Sequence, residues 1–115
     1  MFKVAIIGGE RTGDYPKFKE KCINLLRNKA KEGGIMIYTI GDKYVEAFAE
    51  RYGIDYVFFP CDFQTFGKDA LKYRAENLLE DADALIAFSK QIKDVDMIVR
   101  LANEKGIPVR TPTLS

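Results

Sequence analysis

Five short apolar runs alternate with four amphipathic ones along this chain, and that alternation constrains the fold more than any other feature. The apolar runs are Lys3–Ile7, Ile35–Ile40, Asp55–Phe59, Ala84–Phe88 and Ile107–Arg110. They are rich in Val, Ile, Tyr and Phe and almost continuously apolar, as strands covered on both faces should be. The intervening segments have helical spacing. Pro16–Lys31 opens with proline in its first turn, carries Phe18, Cys22, Leu25, Leu26 and Ala30 on one face, and stops at Gly33-Gly34. Asp42 stands where the next helix needs an N-cap, with Val45, Phe48, Ala49 and Tyr52 inward and Gly53 closing it. A third helix is expected over about Lys68–Asp81, with Leu71, Ala75, Leu78 and Leu79 inward. A fourth spans Lys93–Lys105, with Val95, Ile98, Val99 and Ala102 inward.

Strands separated by helices form a parallel sheet with right-handed crossovers, which places helices on both faces. The expected architecture is therefore α/β: a single Rossmann-like three-layer domain over residues 1–115, with a five-stranded parallel sheet in the order 3-2-1-4-5. In such sheets ligands bind outside the carboxyl ends of the strands, at the switch point between strands one and four.

Composition narrows the chemistry. The chain is 47% hydrophobic and 30% charged, an ordinary globular balance, and its 18 basic and 17 acidic residues leave a net charge of +1. A nucleic-acid-coating surface would show a strong basic excess, so nucleic acid is not an expected partner. There is no histidine, which excludes His-based acid–base catalysis and His-ligated metal. Cys22 and Cys61 fit no zinc or redox spacing and are expected as free, buried thiols; neither a metal nor a cofactor is implied. No apolar run approaches the roughly 20 residues of a membrane span. Without a signal-peptide pattern at Met1, a cytoplasmic setting is expected.

The topology brings particular residues to the strand ends. After strand one come Gly8, Gly9, Glu10 and Arg11; after strand two, Gly41, Asp42 and Lys43. After strand three come Pro60, Cys61, Asp62 and Phe63, then Phe66, Gly67 and Lys68. Ser89 and Lys90 follow strand four, and Arg74 on the third helix can reach the same crevice. Glycines there let backbone approach a ligand closely, and an arginine two residues past Gly9 can meet an anion with a bidentate donor. An exposed Phe63 or Phe66 could stack on a base or plug a loop.

Together these landmarks resemble the SLOG superfamily, the Rossmann-like group that includes the LOG cytokinin-activating hydrolases and the Smf/DprA proteins, and within it the small YspA-like branch. The matching motifs run nearly the length of the chain. They are Gly8-Gly9-Glu10-Arg11 with Asp14-Tyr15, and Ile40-Gly41-Asp42-Lys43-Tyr44-Val45-Glu46. Pro60-Cys61-Asp62-Phe63 follows, then Gly67-Lys68-Asp69-Ala70 with Arg74, Ala82-Asp83 to Phe88, and Met97-Ile98 through Gly106–Val109. Departures bear on function. The second motif lacks two of the branch's glycines, and Glu46 replaces its aspartate. Where LOG-type enzymes carry a glycine-rich phosphate loop, this chain has Ser89-Lys90-Gln91-Ile92-Lys93, with Lys90 or Lys93 left to supply charge. The catalytic glutamate of those enzymes has no counterpart, so the resemblance carries no phosphoribohydrolase activity.

The leading expectation is binding of a nucleotide or nucleotide-derived ligand by Gly8, Gly9, Arg11, Gly41, Asp62, Phe63, Lys68, Arg74, Ser89 and Lys90. An alternative is hydrolysis or transfer at an N-glycosidic bond, for which Glu46, Asp62 and Glu10 are the candidate carboxylates. A third is an interaction protein without a small ligand, for instance a homodimer formed through an exposed helix.

Overall fold

The central strand β1 (Phe2–Ile7) shows how the sheet is built. Side chains alternate across a strand, so Val4 and Ile6 enter one apolar layer while Ala5 and Ile7 enter the other, all four fully buried. The structure is a computed structural model and describes residues 1–88 and 93–112, without the side chain of Lys93. β1 pairs in parallel with β2 (Ile35–Thr39) on one side and β4 (Ala84–Ala87) on the other. β3 (Asp55–Phe58) and β5 (Val109–Arg110) form the edges. The sheet is five-stranded, parallel, and ordered β3-β2-β1-β4-β5, as the alternation of segments predicts.

Helices cover both faces. On the first lie α1 (Tyr15–Gly33) and α2 (Lys43–Arg51), whose Phe18, Cys22, Leu26, Val45, Phe48 and Ala49 pack on Val4, Ile6, Ile37 and Ile86. Asp14 caps α1 by accepting from Lys17 N–H, with Pro16 in the first turn. On the second face lie α4 (Ala70–Leu79) and α5 (Lys93–Glu104), which bring Ala75, Leu78, Leu79, Val95, Ile98 and Ala102 against Ala5, Ile7, Leu85 and Ala87. A one-turn helix α3 (Phe63–Phe66) and a 3-10 turn (Gly67–Asp69) precede α4.

Several sequence expectations shift at the periphery. The third helix does not start at Lys68. Gly67, at φ +55°, breaks the path between α3 and the 3-10 turn, and regular helix begins only at Ala70. Leu25, Ala30, Tyr52 and Leu71, assigned inward by spacing, are exposed. They flank a buried stripe narrower than periodicity alone suggests. β3 is not covered on both faces: it has one neighbouring strand, and Val57 and Phe58 remain exposed. Of the two free thiols, Cys22 is buried and Cys61 only half-buried. No described helix is long and apolar enough to cross a membrane.

Candidate functional site

At the carboxyl end of β1 the chain reverses through Gly8, whose φ of +77° is a conformation L side chains avoid. Gly9 is glycine for a different reason. Its backbone is ordinary right-handed, but a Cβ there would stand 2.8 Å from the Phe18 ring and 3.2 Å from Asp42 Oδ1. The second glycine of the pair therefore faces the core, where it lets the turn settle onto α1 and α2. A 3-10 turn, Glu10–Thr12, follows; Thr12 Oγ1 ties it down by donating to Gly9 O at 2.7 Å, and Arg11 is exposed upon it.

Asp42 governs the next layer. As the expected N-cap of α2, it accepts from Tyr44 N–H at 3.0 Å and from Val45 N–H at 3.3 Å. It also accepts from Glu10 N–H, 3.1 Å from each carboxylate oxygen. Glu10 returns the contact, its Oε1 accepting from Lys43 N–H at 2.8 Å. The first turn and the α2 terminus thus cap one another. Burial pushes the Asp42 carboxyl above its ordinary pKa, against the backbone donors that favour its charged form. Successive backbone N–H groups in a turn can meet an anion; here that of Glu10 is already met by a carboxylate from within the protein.

Across the crevice, Arg74 of α4 donates through Nη2 to Asp94 Oδ2 of α5 at 2.6 Å. The side chains are 11% and 24% exposed, so the pair is largely withdrawn from water. Arg74 Nε and Asp94 Oδ1 are buried without a hydrogen-bond partner among the described residues. Between these groups lies a cleft of about 190 Å³. Gly8, Glu10 and Arg11 line it from the first turn, Ile40–Asp42 from the second, Arg74 from α4, and Asp94 and Val95 from the first turn of α5. It sits at the β1/β4 switch point of the sheet, where open α/β sheets hold ligands.

Of the residues expected at the site, Gly8, Arg11, Gly41, Arg74 and the candidate carboxylate Glu10 line this cleft. Gly9 lies behind it. Asp62 lies in an adjoining groove of about 230 Å³ that shares Arg74. There it caps α3, accepting from Thr65 N–H at 3.0 Å, and its Thr65 contacts hold the carboxyl below the usual range. Phe63 and Lys68 are exposed and line neither space. Glu46 does not reach the cleft; its charge is felt at Tyr56 on the edge strand. Ser89, Lys90 and the side chain of Lys93 lie outside the described residues. Sequence reasoning missed Asp94, Tyr73 and Asn77. A pairing across 20 residues between two helices leaves no local trace, and Tyr73 reads as one more aromatic on an amphipathic helix.

Among the described residues, the charges lining the cleft are three carboxylates and two guanidiniums. Asp42 and Glu10 are occupied by backbone donors and Asp94 by Arg74, whereas Arg11 makes no ion pair among the described residues. No group of three or more potential ligands is placed to hold a metal ion among the described residues. Comparison of the chain with protein-family models, curated proteins and solved structures finds no match.

Proposed function

We propose that this chain binds a nucleotide or nucleotide-derived ligand at the carboxyl ends of β1, β2 and β4, and that it is a SLOG-like protein acting as a binding module. The observation that carries the reading is the convergence of Arg11, Arg74 and the positive-φ backbone at Gly8 and Gly41 on one cleft at the switch point. At about 190 Å³ the cleft is smaller than the roughly 300–1,000 Å³ of typical small-molecule sites. It suits the phosphorylated-sugar end of such a ligand. Binding is favoured over N-glycosidic cleavage because Glu10, Asp42 and Asp62 each serve as a cap and Glu46 stands away from the cleft. A cytoplasmic setting belongs to the same reading, supported by two cysteines left as free thiols.

Calorimetric titration with ribose 5-phosphate tests it. Arg11→Ala should weaken binding by about 1.5–3 kcal/mol, the worth of hydrogen bonds to a charged group. Unchanged affinity in that variant would remove Arg11 from the site, and no heat with the wild-type protein would remove the site itself.

A further inference from the structure

The groove beside the cleft is lined by three aromatic side chains. Phe59 and Pro60 line it from the end of β3, Phe66 from α3, and Tyr73 and Asn77 from α4; Arg74 borders both spaces. Phe66 and Tyr73 stack on one another, with centroids 4.2 Å apart and planes 29° from parallel, yet remain 40% and 44% exposed. Large aromatic side chains carry much of the energetics of cores and interfaces. Here two of them are held face to face at the surface, neither belonging to either core layer. Tyr73 and Asn77 are four residues apart on α4, so they lie on one face of that helix. An aromatic face followed by a carboxamide offers a stacking surface and, at its edge, one donor group and one acceptor.

We propose that this groove is a nucleobase subsite: the ligand's base stacks on the Tyr73–Phe66 pair with its edge toward Asn77, while its phosphorylated sugar occupies the cleft on the other side of Arg74. The inference rests on the nucleotide reading and extends it, because it assigns the base to α3 and α4. The two spaces together reach the size range of small-molecule sites. Stacking accepts any base, so all four bases should bind, purines with the larger overlap.

The test compares the affinities of ribose 5-phosphate and the four 5′-mononucleotides for the whole protein by calorimetry. The mononucleotides should bind roughly 5- to 150-fold more tightly than ribose 5-phosphate, the range expected for one stacked base. That ratio should fall toward one in Tyr73→Ala and in Tyr73→Leu, which keeps an apolar side chain without a ring, and should be retained in Tyr73→Phe. A wild-type ratio near one, with ribose 5-phosphate binding, overturns the subsite and leaves the cleft. A mononucleotide advantage over ribose 5-phosphate that persists undiminished in Tyr73→Leu and in Phe66→Ala also overturns it. If ribose 5-phosphate fails to bind but mononucleotides bind through Tyr73, the cleft reading falls and the subsite stands. If nothing binds, both fall.

Discussion

At Asp42 one buried carboxylate occupies a donor that the first turn would otherwise present to an anion. Burial raises its pKa in the folded protein, with the neighbouring charge of Glu10 adding to the effect. The folded state therefore binds a proton there more tightly than the unfolded chain does. The resulting stability is fully present below the ordinary carboxylate pKa and is lost as pH rises through the raised value. Asp42→Asn removes this titration, so urea unfolding across that window should shift in the variant's favour, relative to wild type, as pH increases. Parallel pH profiles for the two proteins would mean that Asp42 does not titrate there. Gly9 supplies a second test at this scale. A methyl group 2.8 Å from the Phe18 ring meets a fully buried side chain, so the core must yield. Gly9→Ala should cost about 1–3 kcal/mol of unfolding free energy, the usual range for overpacking. A loss below half a kilocalorie (about 0.5 kcal/mol) would show that Phe18 moves aside freely. The sequence alone displays Gly8-Gly9 as a pair; only the packing shows that one member turns the chain and the other makes room.

Among the elements, α4 and α5 are joined at the cleft by Arg74 and Asp94. With both side chains mostly withdrawn from water, Asp94→Asn should destabilise the fold by about 2 kcal/mol, short of the roughly 3–5 kcal/mol for breaking a fully buried pair. The same change removes the carboxylate that competes for Arg74. Affinity for ribose 5-phosphate should rise several-fold, by about 1 kcal/mol in a partly screened site. Weaker binding in that variant would indicate that Asp94 contacts the ligand or fixes Arg74 in its binding posture. Helix existence was legible from periodicity, because Phe18, Cys22 and Leu26 recur at helical spacing and Pro16 and Asp42 mark two starts. Helix edges were less so. Leu25, Tyr52 and Leu71 are apolar enough to join a buried stripe, yet each is more than a third exposed. The break at Gly67 was hidden because the residues on either side, Phe66 and Lys68, suit a helix on either path.

For the molecule as a whole, strand order and the switch point follow from the alternation of segments, and both hold in the structure. Position in the sheet then brings Arg11 and Gly41 together although they lie 30 residues apart in sequence. What topology could not show is the division of the strand-end residues between two spaces. Asp62 and Phe66 lie in one, and Gly8, Arg11 and Gly41 in the other, with Arg74 between them. That division depends on the path of α3 and the turn after it, where Gly67 stands at φ +55°.

The central claim is that ligand binds at the switch point. Amide NMR spectra recorded while a 5′-mononucleotide is added test it most directly. Saturable shifts concentrated at Gly8–Arg11, Gly41–Asp42 and around Arg74 are the predicted result. A saturable pattern elsewhere in the fold, or spectra that do not change at millimolar ligand, would contradict the claim.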